Sequence, residues 1–282
     1  MQSHNLTITQ SKSQKLNNFC QTTYMMKITI LGTGTSQGVP VIGCTCEVCQ
    51  SEDPKDQRLR CSVAIAWQNK QIVVDVGPDF RQQMLHNHLS KVDVILLTHE
   101  HNDHIIGLDD VRPFNFLHQM HMPVYGMERV LKDVRKRFAY VFDADPYPGA
   151  PRIELHPVAS NQTIQIAELP PIIPIEVYHG NLPILGYRFG DFTYLTDVKT
   201  IPPASLAKVK NTKILVMSAL HHSTHHSHLN LEEAIALAQD IQADQTYFLH
   251  FSHRMGKHAE VSRLLPDNIY LAYDGLELFL ED

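Results

Sequence analysis

Thr98-His99-Glu100-His101-Asn102-Asp103-His104 decides how this 282-residue chain is read. Three histidines and an aspartate directly follow residues 92–97, a run rich in β-branched residues and leucine that predicts a buried strand. Alternation in an extended segment puts His99 and His101 on one side. The turn that follows aims Asp103 and His104 at a neighbouring point. Imidazole nitrogens and carboxylate oxygens in two half-sites a few ångströms apart are the donors a two-metal centre needs. The bland alternative is a polar surface loop with chance histidines. It fits poorly with an apolar strand that delivers four potential ligands at once.

These residues match the H-x-H-x-D-H signature of the metallo-β-lactamase superfamily, and the chain resembles that family over residues 26–282. The resemblance implies an α+β fold, a four-layer αββα sandwich of two mixed sheets flanked by helices. Element order alone supports only α/β or α+β. The resemblance also implies the remaining ligands. His179 follows a predicted strand at 173–178, Asp197 one at 192–195, and His250 one at 246–249. By this resemblance His99, His101 and His179 take the first metal, and Asp103, His104 and His250 take the second. Asp197 then bridges the two. Each of these later ligands ends a strand, where rigid scaffold meets adaptable loop.

Upstream, Gly43-Cys44-Thr45-Cys46-Glu47-Val48-Cys49 supplies three thiolates within reach of one ion. Tetrahedral structural zinc needs a fourth ligand. Cys61 is the candidate by residue type. His253 is the candidate by resemblance to the phosphoribosyl cyclic phosphate phosphodiesterases, which carry a Cys-x-Cys-x-x-Cys insert and a histidine three residues past the last catalytic one. Cys61 starts a strand and reads as a packed core thiol. Three reduced, buried cysteines remain the plain alternative.

Elsewhere the pattern is coarser. Residues 1–25 are polar without apolar period and predict a disordered tail or upstream extension, with order starting at Met26. Strands are expected at 61–67 and 71–76 around an Asn69-Lys70 turn, then a helix over 78–88. Helices follow at 108–120, 127–138, 231–241 and 258–265, with short strands over 152–196 and at 213–219. The loop Gly32-Thr33-Gly34-Thr35-Ser36-Gln37-Gly38 has the wrong spacing for a dinucleotide site and precedes Pro40. It is expected near the catalytic rim.

Within His221-His222-Ser223-Thr224-His225-His226-Ser227-His228 most rings read as surface polarity. His228 lies at the position of the catalytic histidine in the ribonuclease Z and cyclic phosphodiesterase branches. It is the expected general acid, or the group that steadies charge on the phosphorane; His225 is the runner-up. Asp103 carries a second, catalytic expectation besides its ligand role. Asp274-Gly275 resembles a C-terminal motif of the phosphodiesterases, with a structural role.

The resemblance implies a hydrolase using two catalytic divalent metals (zinc or manganese), one structural zinc, and a metal-bridging hydroxide as nucleophile. The expected substrate is a small phosphodiester, a cyclic ribose phosphate in the first instance. The rivals are tRNA 3′-processing of the ribonuclease Z type and a non-catalytic zinc-binding protein. A net charge of −6 and the lack of a Gly- and Lys-rich insertion argue against a nucleic-acid partner. No apolar run reaches the ~18 residues of a membrane span, and no secretory signal is recognised. A cytoplasmic location is expected, with homodimerisation left open.

Overall fold

The computed structural model describes residues 24–281. Most of the tail expected at 1–25, including Cys20, lies outside them. In chain order the strands are β1 (Tyr24–Gly32), β2 (Ser62–Trp67), β3 (Lys70–Val74), β4 (Val94–Leu96), β5 (Met122–Gly126) and β6 (Ile153–Pro157). Then come β7 (Ile173–His179), β8 (Leu182–Phe189), β9 (Phe192–Leu195), β10 (Ile214–Ser218), β11 (Gln245–Leu249), β12 (Ile269–Leu271) and β13 (Glu277–Glu281). They form two mixed sheets, ordered β13-β1-β2-β3-β4-β5-β6 and β12-β11-β10-β9-β8-β7.

The two sheets share a plan. β1, β2 and β3 are antiparallel and β3 to β6 parallel; β7, β8 and β9 are antiparallel and β9 to β12 parallel. The period-2 alternation of side chains explains the layers. Val63, Ile65 and Trp67 of β2, with Ile72 and Val74 of β3, point into a core shared with Tyr187, Phe189 and Val216 of the other sheet. Ala64, Val73 and Ile95 point the other way, under the helices Phe80–His86, Arg112–His118 and Glu128–Arg137. Leu215 and Met217 face a third core beneath the helix Leu231–Ile241. Three cores separated by two sheets make the expected four-layer αββα sandwich.

Some boundaries differ from expectation for identifiable reasons. β1 starts at Tyr24, ahead of Met26, because Tyr24 pairs with Glu281 of β13. Trp67 pairs with Lys70, so the hairpin turn is Gln68-Asn69, with Gln68 at φ 52°. The stretch 108–120 divides into a 3-10 segment, Ile106–Val111, and the helix Arg112–His118. Pro113 has no N–H with which to continue the preceding ladder. A helix at Pro203–Val209 was hidden by its prolines, which suit a first turn. The helix Leu231–Ile241 keeps its expected bounds, closed by a capping box in which Asn230 Oδ1 accepts from Glu233 N (2.8 Å) and Asn230 N donates to Glu233 Oε2 (3.0 Å).

Candidate metal centre

All the parallel strands of both sheets end toward one rim, and the chemistry is collected there. β4 runs into Thr98 and His99, β7 ends on His179, β9 runs into Asp197, and β11 into His250. Asp197 and His250 take left-handed backbone, at φ 56° and 64°. Such a conformation is uncommon for non-glycine residues and clusters where side-chain aim matters more than backbone comfort.

The ligand atoms fall into the expected groups. His99, His101, His179 and Asp197 offer donor atoms all within 4.8 Å of one another, as do Asp103, His104 and His250. Asp197 touches both sets. Its Oδ2 lies 3.7 Å from His99 Nε2 and 3.6 Å from His104 Nε2, and its Oδ1 lies 3.0 Å from His250 Nε2. Asp103 Oδ2 is 3.3 Å from His104 Nε2. Three of the rings are held from behind by their other nitrogen. His99 Nδ1 is 2.9 Å from Thr98 Oγ1, and His179 Nδ1 donates to the Ser227 carbonyl at 2.8 Å. His104 Nδ1 donates to Asp75 Oδ2 at 2.7 Å.

These residues fit a pair of cations. His104 Nε2 and both ring nitrogens of His250 are buried without a hydrogen-bond partner. Buried polar atoms are seldom left so, and an ion among these side chains would satisfy His104 Nε2 and one nitrogen of His250. Electrostatics agree. Burial alone would push the His104 imidazolium down, yet Asp75, Asp197 and Asp103 outweigh it and hold the ring well above its ordinary value. Burial raises the Asp197 carboxyl, but His250, His104 and His99 outweigh that and hold it well below the usual carboxylate range. Burial drives His99 and His250 down, so both stand as neutral donors.

His228 lies against this cluster. A ring nitrogen of His228 is within 4.8 Å of donor atoms of Asp197 and His250. Its ring stacks on His250 at 4.8 Å and tilts over His179 at 4.4 Å. It is 9% exposed, and its Nδ1 has no partner. His225 stands one step farther out, 5.1 Å from the His228 ring.

The cysteines gather separately. Cys44, Cys46 and Cys49 place their Sγ atoms 3.2, 3.5 and 3.6 Å from His253 Nδ1. Cys61 is elsewhere, buried, with its Sγ donating to the Gly34 carbonyl (3.2 Å). Asp274 is also structural: it accepts from Thr33 Oγ1 and from Leu59 N, both at 2.6 Å, and pins the loop at residues 32–34.

Two residues escaped the sequence. Asp75, at φ 63° after β3, accepts from Thr98 N, Thr98 Oγ1 and His104 Nδ1. Its only local signal is a carboxylate ending an apolar strand. Arg129 forks onto Glu100 at 2.8 and 3.0 Å, steadying the residue between two ligands.

The family model of the β-lactamase superfamily domain matches residues 70–251. The crystal structure of a new diphosphatase from the PhnP family is 41% identical, with a TM-score of 0.85 over 91% of this chain and 97% of that one. Zinc-bound PqqB from Methylobacterium extorquens shares the fold at 19% identity and TM-score 0.74, covering 89% and 99% of the two chains. Human tRNase Z, short form, does so at 17% and 0.67, covering 89% and 98%. An octanoyltransferase of Porphyromonas gingivalis (strain ATCC BAA-308 / W83) is 40% identical over 259 residues, 91% of this chain but 52% of that protein. The chain thus spans about half the length of that relative.

Proposed function

The chain belongs to the metallo-β-lactamase superfamily and, within it, to the PhnP family, and from that premise we propose that it hydrolyses a small phosphodiester, such as a cyclic ribose phosphate. His99, His101 and His179 would hold one divalent ion, zinc or manganese, and Asp103, His104 and His250 a second, with Asp197 shared. Bound there, the ions would supply an activated water and offset charge on the phosphoryl oxygens. Cys44, Cys46, Cys49 and His253 would hold a structural zinc, with all four coordination positions supplied by protein.

The protein's own groups do the rest. Asp75 fixes the tautomer of His104 by accepting a hydrogen bond from its Nδ1–H. The observation that carries the reading is His228, a buried ring outside both ligand sets with an unpartnered Nδ1 beside the cluster. Burial first, and His250 second, hold its free ring well below the ordinary histidine value. As a neutral ring it donates an N–H to a phosphoryl or leaving-group oxygen. The phosphodiester monoanion favours the charged ring, so that His228 takes up a proton from solvent, passes it to the departing sugar alkoxide and returns to the neutral form.

A second reading is favoured by the PhnP-family relative, described as a diphosphatase: cleavage of a P–O–P link at the same centre. The octanoyltransferase name belongs to a protein of about twice the matched length and carries no argument for this chain. Turnover of bis(p-nitrophenyl) phosphate, 2′,3′-cyclic AMP and ADP-ribose with added manganese or zinc separates the readings. Hydrolysis of the two diesters supports the first, and cleavage of ADP-ribose alone supports the second. Activity only on a tRNA precursor transfers the assignment to ribonuclease chemistry. Metal binding without any turnover leaves a zinc-binding protein.

A further inference from the structure

We propose that Lys199 is a positioning residue for His228, acting through Glu233, so that one ion pair fixes the acid ring against Asp197. The proposal rests on the phosphodiester reading above, in which His228 protonates the leaving group. A histidine that moves protons is ordinarily oriented by a third group bonded to its ring. Among the described residues none hydrogen-bonds the His228 ring, and its Nδ1 is buried without a partner. The ring packs on those of His250, His179 and His225. Its aim must therefore come from the backbone that carries it.

That backbone is tied on both sides of the ring. The Ser227 carbonyl accepts from His179 Nδ1 (2.8 Å), and Leu229 N donates to the Val198 carbonyl (2.9 Å). Next comes Asn230, whose N donates to Glu233 Oε2 (3.0 Å) and whose Oδ1 accepts from Glu233 N (2.8 Å). Those two bonds start the helix Leu231–Ile241, and a capping box needs no more. Lys199 adds a tie that the helix does not require. Its Nζ donates to Glu233 Oε1 (3.0 Å) and Oε2 (2.9 Å). Lys199 stands two residues after Asp197, and Val198 lies between them. The loop after β9 thus grips the segment bearing His228 twice, once through the Val198 carbonyl and once through the chain Lys199–Glu233–Asn230.

Stability does not account for this pair. Side chains that are 20% and 36% exposed gain little from an ion pair in folding. Placement is worth far more, since an error of about 1 Å at a reacting group can cost ~10²-fold in rate. Lys199 is also the least exposed of the ion-paired lysines among the described residues. Asp197 and the acid ring are held as one unit, while both ring nitrogens of His228 stay free for the substrate.

The test compares Lys199→Met with the wild type, both manganese-loaded, on 2′,3′-cyclic AMP and on bis(p-nitrophenyl) phosphate. Methionine keeps the apolar stem and leaves the capping box whole. On the cyclic nucleotide, whose ribose alkoxide needs a proton to leave, kcat should fall roughly ten- to a hundredfold, with KM and metal content within about twofold. On the p-nitrophenyl ester the loss should stay below about threefold, since p-nitrophenolate departs without a proton. Lys199→Arg should recover most of the loss on the cyclic nucleotide. Added to His228→Ala, Lys199→Met should cost nothing further, because the ring it positions is gone. An unchanged kcat on the cyclic nucleotide, equal losses on both substrates, loss of metal, or an additive loss in the double variant would each overturn the role. If the wild type hydrolyses neither substrate, or His228→Ala itself loses equally on both, the acid reading fails on its own. The positioning is then read by amide hydrogen exchange in the manganese-loaded proteins. Faster exchange at Leu229 in Lys199→Met, with the helix Leu231–Ile241 still protected, upholds it, and unchanged exchange overturns it.

Discussion

The histidine–aspartate cluster and the cysteine cluster are both candidate metal-ligand sets, yet the fold delivers them in opposite ways. The first draws its groups from the ends of β4, β7, β9 and β11, across both sheets, with His99, His104, Asp197 and His250 buried at 0–2% exposure. Behind it stand Asp75, Thr98 and the Ser227 carbonyl, each holding a ring by its other nitrogen. The second takes three ligands from one irregular loop at 44–49 and one from far along the chain, His253. Cys44 and Cys46 are only half-buried. A sheet-built site is held in shape by the cores on either side of it, whereas a loop-built site depends on its ion for shape.

That contrast can be broken or sharpened, and the largest effect should come from a group that is a ligand in neither set. His228→Ala should keep its metal content but lose on the order of 10²–10⁴-fold in kcat, the range for a positioned acid. The loss should be greatest for a ribose leaving group and shrink for p-nitrophenolate, which departs without a proton. Equal losses on both leaving groups, read from kcat for the two substrates, would remove the acid role.

Asp75→Asn should follow, with a drop of roughly 10–100-fold in metal affinity or activity, because the His104 ring loses the carboxylate that orients it. Titration with zinc, followed by activity at saturating metal, separates the two losses. A variant indistinguishable from wild type would show that packing alone positions His104.

Cys46→Ser probes the other site. It should cost one ion per chain and lower the melting temperature by roughly 5–15 °C, given that structural zinc contributes directly to folding. The catalytic ions should stay, with kcat on bis(p-nitrophenyl) phosphate within a few-fold. Simultaneous loss of all three ions, seen by metal analysis, would mean that the two sites are not independent.

The smallest effect concerns a histidine outside both sets, at the start of the helix His258–Val261. Burial first, then Arg58, whose Nη2 is 3.4 Å away, and Lys55 push His258 down to about 4, against Asp53 and Asp56. The folded state therefore prefers the neutral ring. Its contribution is full above pH 6.5 and declines as pH falls from there through 4. Chemical denaturation at pH 7 and pH 4.5 should show a smaller stability difference for His258→Gln than for wild type. An unchanged difference would exonerate this ring.

The sequence by itself determined whatever the covalent chain fixes locally. In the HxHxDH run, extended backbone sets His99 and His101 two residues apart on one side, and the cysteines of 44–49 cannot be far apart. Asn230 is a cap residue directly before the helix at 231–241, and the structure adds Glu233 to complete the box. Resemblance carried the reading on to His179, Asp197, His250 and His253. Tertiary structure alone decided the rest. Asp75 reaches His104 because β3 and β4 pair in parallel and end together at the same rim. His253 rather than Cys61 meets the three thiols, because Cys61 is turned toward Gly34 in the core. No local pattern encodes these meetings, since each depends on the register and packing of strands that are distant along the chain.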